Sequence, residues 1–460
     1  MVAFLDLPLE LLPLIIQHLV RPSHIAAVCL VNRTFYDFTI SHLYKRVFVY
    51  AWHKEAKLRV IKLFTTLAEH PHLAQHCAEL TLLIEIRDFP KALNAADYET
   101  VENTCLVGIR NCRNLRVCTW TRDGSLTTNI LEALQQCPAL QELEINGHNE
   151  GNYKPWLLTK FHNLRRISLI MPSASVIETL PTWMQHTGIT LRHLSLICKT
   201  GTVVNDGLLE SLVPFLPNLE HLYFVNCVKV TDRGLVALLS QNVIGLRGLG
   251  LEGVSPNFDM REFSQTCTRS GTMNRLQSIT LTVSAHLSPT WEVDVVELLK
   301  PAPLERFHVS TTGGTVDNTL NDAFCAQIID IHGSRLRRFS VHRMRMSVAA
   351  IEDICRRCVQ LEQLFIVVDQ HKLEAIGPAL ALARNLRSVH INRPLDLGSE
   401  DIPVLARESI LEIVKQCGPN LRQFGYNTRV ERVVQSVGVD VRLGSYENPE
   451  VPEQFLVVRT

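Results

Sequence analysis

The sequence predicts an α/β fold: a short helical module, then a repeating solenoid with parallel strands on its concave face and helices on its convex face. Three observations predict it. A pattern of leucine-x-x-apolar-x-apolar returns twelve times from Leu115 onward. The residues ahead of it, to about position 50, ignore that pattern and carry apolar side chains at helical spacing. The chain is 46% hydrophobic, enough apolar material to order it throughout.

The copies begin at Leu115, Leu140, Leu164, Leu191, Leu219, Leu246, Leu276, Leu304, Leu336, Leu361, Leu386 and Leu421, at intervals of 24 to 35 residues. In the copy at Leu219, period-two alternation predicts a strand that buries Leu222 and Phe224 and turns Tyr223 outward. Leu235, Leu238 and Leu239 follow at helical spacing, with Asp232 placed to cap that helix. One such unit cannot bury both its strand and its helical stripe, so stacked neighbours are required.

The spacing mostly falls at or near the interval of about 20–29 residues of leucine-rich repeats. Asn226-Cys227-Val228-Lys229-Val230-Thr231-Asp232-Arg233-Gly234-Leu235 resembles the cysteine-containing subtype of that repeat, and Asn205-Asp206-Gly207-Leu208-Leu209 is a looser copy. Cys112, Cys137 and Cys358 each precede a repeat leucine by three residues, and Cys417 precedes Leu421 by four. The resemblance implies a horseshoe-shaped leucine-rich-repeat solenoid.

The N-terminal residues read Leu7-Pro8-Leu9-Glu10-Leu11-Leu12, then Ile15-Ile16, Leu19, Ile25, Leu30-Val31-Asn32-Arg33 and Phe35, with Leu43-Tyr44-Lys45-Arg46-Val47 closing the segment. This resembles the F-box. Pro13 falls inside the expected first helix and should kink or delay it. The loop from Leu19 to Ile25 is one residue longer than is common, and Asn32 stands where cysteine is usual. A bundle this small needs fewer apolar side chains than it has, so some should lie exposed as a docking patch. The resemblance implies that Leu7, Pro8, Leu11, Leu12, Ile15, Ile16, Leu19, Ile25, Leu30 and Val31 bind the Skp-type adaptor of a cullin–RING ubiquitin ligase. The residues alone also allow a helical cap shielding the first repeat, as in a plain leucine-rich-repeat scaffold or inhibitor.

The expected organisation is therefore a helical F-box module at 1–50, a helical bridge at 51–78, a solenoid at 79–437 and a cap or tail at 438–460. The solenoid is expected to open with an irregular strand at Glu79 to Ile86. Residues flanking the buried positions of each strand should form the concave binding face. Arg166, His193, His221, Tyr223, Arg306, His308, Arg338, His342 and Phe365 are the candidate contacts to a target protein. Beyond Glu144 this face is poor in carboxylates, Glu252 excepted, so an acidic or phosphorylated target is the partner to test, the alternative being a solvated strand face with no special charge preference.

Other chemistries find little support. Basic and acidic residues both number 46, which provides no basic field for nucleic acid. The apolar stretch Leu7 to Val20 is broken by Pro8, Glu10, Pro13 and His18, which fits neither a signal peptide nor a membrane span. The thirteen cysteines are an odd number and scattered, which suits reduced, buried thiols in the cytoplasm or nucleus. Cys355-x-x-Cys358 has metal-ligand spacing but no second pair, and packing is its expected role. No phosphate loop, zinc helix or nucleophile elbow occurs, so no metal, cofactor or catalytic centre is expected. The implied role is a non-catalytic substrate receptor of an SCF-type ligase.

Overall fold

The computed structural model describes residues 8–19, 21–50, 56–83, 95–122, 124–199, 201–283, 289–311, 318–394, 405–427, 429–436 and 439–445. The chain divides into two compact units. Among the described residues, the first comprises those up to Val203 with Pro214–Leu216, and the second comprises Val204–Val213 and those from Pro217 to Ser445.

The first unit opens with three helices, α1 (Leu12–Ile16), α2 (Pro22–Cys29) and α3 (Arg33–Lys45). Pro13 acts by delay: a 3-10 turn at Leu9–Leu11 precedes α1, and Pro13 sits in the first helical turn, where its missing N–H is not needed. Asn32 stands at the start of α3. Its side chain accepts a hydrogen bond from the Phe35 N–H at 2.9 Å and so caps α3, a contact typically worth about 1 kcal/mol.

Directly after α3 the chain becomes β1 (Arg46–Tyr50), then α4 (Ala56–Glu69), α5 (Pro71–Ala74) and β2 (Glu79–Leu83). The sequence announced no strand at Arg46, because the leucine pattern is absent there. Val49 nevertheless points into the core, and Arg46 pairs with Glu79 both in register and through an ion pair of 2.7 Å. The unit continues with α6 (Ala95–Asn111), β3 (Val117–Trp120), α7 (Thr128–Gln135), β4 (Glu142–Asn146), β5 (Arg166–Ile170) and β6 (His193–Ile197). All its neighbouring strands pair in parallel without a register shift.

The second unit carries β7 (His221–Val225), β8 (Gly248–Glu252), β9 (Ser278–Val283), β10 (Arg306–Thr311), β11 (Arg338–Arg345), β12 (Gln363–Val367), β13 (Ser388–Asn392) and β14 (Gln423–Tyr426) as a parallel run. Two antiparallel strands, β15 (Arg429–Ser436) and β16 (Val439–Ser445), follow β14. Helices connect the parallel strands, and the open strand-and-helix repeat is the leucine-rich-repeat fold expected from the sequence.

Every repeat leucine from Leu115 to Leu421 stands two residues before a strand, and all of them are buried. The second and fourth residues of the strands from β3 to β14 are buried as well, for example Leu222 and Phe224 in β7 and Phe307 and Val309 in β10. Asparagines just ahead of the leucines brace the stack. Asn114 donates to the Gln75 carbonyl at 2.8 Å, Asn385 to Val359 at 2.9 Å and Asn420 to Arg384 at 2.9 Å. Each bond ties a loop carbonyl of one copy to the side chain of the next.

The helix starts of the second unit are linked by carboxylates. Asp232 is the first residue of its helix, with Thr231 in the capping position, one residue earlier than the sequence suggested. Asp206, nearly buried, accepts bonds from the Thr231 N–H at 2.7 Å and the Thr231 hydroxyl at 2.6 Å. Asp232 in turn accepts the Asp259 N–H at 3.0 Å. A Cβ on Gly234 would lie 2.4 Å from Asp206 Oδ1, so this glycine is required by the close approach. Gly234→Ala should lower stability by about 1–3 kcal/mol, the usual range for overpacking. In an Asp206→Ala background the same change should cost less but not nothing, because the Asp206 Cα would still lie 2.9 Å from that Cβ. Urea unfolding of the four proteins in a double-mutant cycle measures that coupling.

Candidate functional site

Two surfaces are candidates, one on the helical module and one on the strands. In the module, Leu12, Ile16 and Ile25 are buried with Thr39 and Ile40 and form the core that holds α1, α2 and α3 together. The opposite side of α1 presents Leu11 and Ile15, together with Leu14, which was not among the candidates. The i, i+3, i+4 spacing of Leu11, Leu14 and Ile15 places them on one stripe. In the turn between α2 and α3, Leu30 is 86% and Val31 63% exposed. Pro8 is exposed and Leu19 half-buried, while Leu7 lies outside the described residues. The docking candidates therefore split by role: three build the module and five stand free to touch a partner.

On the strands, parallel register lines up side chains in rows on the face away from the helices. One row of the second unit runs His221, Gly248, Ser278, Arg306, Arg338, Gln363, Ser388 and Gln423. The next runs Tyr223, Gly250, Thr280, His308, Ser340, Phe365, His390 and Gly425. Arg306 and Arg338 are thus direct neighbours. The Arg338 guanidinium lies 5.0 Å from the centre of the Phe365 ring, and Phe365 stacks on His390 at 5.9 Å with 18° between planes. The His390 ring lies across β14, where a Cβ on Gly425 would come within 2.0 Å of its Nδ1, and its Nε2 bonds the Asn427 carbonyl at 2.9 Å. At the other end His221 and Tyr223 lie stacked over Gly248 and Gly250, where a Cβ would fall 2.4 Å from His221 and 2.3 Å from Tyr223.

His390 was not among the candidates, although the copy at Leu386 places it at the same outward position as Phe365. Arg166 and His193 belong to the first unit, on β5 and β6, in register with each other and with Glu142 of β4. Together the candidates do not make one cluster. The Arg306–Arg338–Phe365–His390 group is the most concentrated part.

The charge on this face differs from a reading that counts histidines as cations. His308 bonds Ser340 Oγ at 2.7 Å, and burial, aided by the Arg338 and His342 charges, pushes its pKa down to about 3. His342 is lowered by burial and by Arg343. His390 is lowered by burial, against the opposing pull of its bond to Asn427. These imidazoles are neutral hydrogen-bonding and stacking groups near neutral pH, and the positive charge rests on Arg306 and Arg338. Burial pushes Glu252, at the far end of β8, up to about 7.

The cysteine pair is packing material. Cys355 and Cys358 are buried, and desolvation raises both thiols to about 12, which keeps them protonated. Among the described residues no group of three or more His, Cys, Asp or Glu is placed to hold a metal ion. No helix among them is long and apolar enough to cross a membrane.

A helical module feeding a parallel strand-and-helix stack defines the class: a leucine-rich-repeat protein with an added N-terminal domain. The added domain has its own match, since residues 4–50 fit the F-box-like family model. Residues 4–50 thus carry an F-box-like module, and a leucine-rich-repeat fold follows it. No curated protein matches the sequence. Among solved structures it is similar to yeast Rad7 in its complex with Elc1, at 14% identity over 69% of this chain and 89% of that one, with a TM-score of 0.39. It is also similar to the leucine-rich-repeat protein LegL7 of Legionella pneumophila, at 11% identity, 62% and 93% coverage and a TM-score of 0.38. A Listeria monocytogenes internalin matches at 13% identity, 73% and 88% coverage and a TM-score of 0.29.

The raised Glu252 pKa has a testable consequence. Its folded value, about 7, exceeds that of an ordinary carboxyl, so ionising it opposes folding. The cost is greatest above pH 7 and fades as pH falls from 7 towards 4.5. Glu252→Gln should therefore stabilise the protein at pH 8, by roughly 1–3 kcal/mol, and by much less at pH 5. Urea midpoints at the two pH values check the sign.

Proposed function

We propose that this chain is the substrate-recognition subunit of an SCF-type cullin–RING ubiquitin ligase, working in the cytoplasm or nucleus. The observation that carries the proposal is the coincidence of the F-box-like match at residues 4–50 with an apolar surface that the module leaves open. Leu11 just before α1, Leu14 and Ile15 on it, and Leu30 and Val31 in the turn after α2 are large side chains that a free-standing helical module has no reason to expose. In this reading they dock on a Skp-type adaptor, and through it on the cullin scaffold.

The strand face then holds the target. Arg306 and Arg338 supply adjacent guanidinium forks, and Phe365 and Tyr223 supply flat apolar surface, a combination that suits an acidic or phosphorylated segment of a protein. The chain performs no bond chemistry itself. It raises the local concentration of target lysines beside the ligase's charged conjugating enzyme, as any tether between two sites does.

Binding to a purified Skp-type adaptor by calorimetry tests the assignment. The wild-type chain should bind, and Leu14→Asp with Ile15→Asp should weaken binding at least about tenfold, the effect of losing roughly 1.4 kcal/mol. Because both side chains are exposed, the urea midpoint should stay within error of wild type. Ile16→Asp, in the core, should instead unfold the module. A wild-type chain that ignores the adaptor, or a double variant that binds as well as wild type, would contradict the proposal.

A further inference from the structure

The first unit contains a cavity that the ligase reading does not use. It has a volume of about 230 Å³ and lies between α4, α6 and the start of α7. Its origin is the way α4 and α6 cross. They approach closely at Gly108, where an added Cβ would sit 3.1 Å from the Phe64 ring and 3.2 Å from Leu67. Towards the amino ends of both helices the gap widens, and Val60, Ile61, Phe64, Val101, Cys105 and Ile130 line it.

The threonines at its wall add little polarity. The Thr65 hydroxyl bonds the Ile61 carbonyl at 2.9 Å and the Thr104 hydroxyl bonds the Thr100 carbonyl at 2.8 Å, so each spends its donor on its own helix. The exception is Glu102. Its Oε1 accepts from the Thr127 hydroxyl at 3.5 Å and from the Asn129 amide at 3.3 Å, which anchors the carboxylate to the start of α7. Its Oε2 makes no hydrogen bond among the described residues. An apolar space with one held acceptor has a defined complement.

We infer that this cavity is a small-molecule site for a compact apolar ligand carrying a cationic amine. The volume admits one ring or a short branched chain, since an apolar protein cavity of about 150 Å³ already takes up benzene. Phe64, Val60 and Ile130 bury the apolar body, and Glu102 Oε2 receives the ammonium group. A carboxylate ligand is repelled by the same residue. The site is independent of adaptor and target binding, so neither reading depends on the other.

Calorimetric titration of the full chain with benzylamine, benzyl alcohol and benzoate tests it. Benzylamine should bind saturably, benzyl alcohol more weakly and benzoate not at all. Glu102→Gln should weaken benzylamine about tenfold, as expected for loss of a charge-assisted bond, and leave benzyl alcohol within about twofold. Ile61→Trp and Val101→Trp, both at half-exposed positions where bulk is tolerated, should each block the cavity and abolish binding of both. Failure of benzylamine to bind, equal binding of benzoate, or undiminished binding to both tryptophan variants would overturn the assignment.

Discussion

The structure depends on one constraint: a strand-and-helix repeat cannot bury its own apolar surface and must lend it to the next copy. The repeat leucine two residues before each strand, and the second and fourth strand residues, are buried only because a neighbour lies on either side. Parallel pairing then has to keep register, since a slip of one residue would turn Leu222 and Phe224 to solvent. The asparagine-to-carbonyl bonds and the Asp206–Thr231 link act on the same problem from the loops and helix starts. They fix how far apart successive copies sit.

Fixed register is also what makes a binding face. Residues some thirty positions apart in sequence, such as Arg306 and Arg338, become neighbours because β10 and β11 pair residue for residue. The glycines at 248, 250 and 425 let rings from the adjoining strand lie flat on the sheet, so His221 and Tyr223 offer faces rather than edges while His390 lies buried. Burial of His308 and His390 on this face keeps these two imidazoles neutral and leaves the arginines as the charged groups. The helical module follows a different logic. It is too small to hide every apolar residue it carries, and Leu12, Ile16 and Ile25 close its core while Leu14, Leu30 and Val31 remain outside.

Much of this was legible in the sequence, and the parts that were not share a cause. The leucine pattern placed the strands from β3 to β14 because burial imposes it directly. β1 escaped notice because Val47 and Val49 alternate without the leucine; β2 was expected as an irregular strand from Glu79, and its leucine position is taken by buried Cys77. The order of apolar residues in the N-terminal segment identified the module. It could not say which of them face inward, since Ile15 and Ile16 are chemically alike and differ only in angle around α1. The outward positions of each strand were readable, but their protonation was not. A histidine's charge depends on burial and on cations from other strands, as Arg338 acts on His308.

The central claim is a division of labour, with the module engaging the ligase and the strand face left for a target. Hydrogen–deuterium exchange of the full chain, with and without a saturating Skp-type adaptor, tests it most directly. The account predicts new protection confined to the segment from Leu11 to Val31, with exchange in β7 through β14 unchanged. Protection spread over those strands, or none in the helical module, would contradict it.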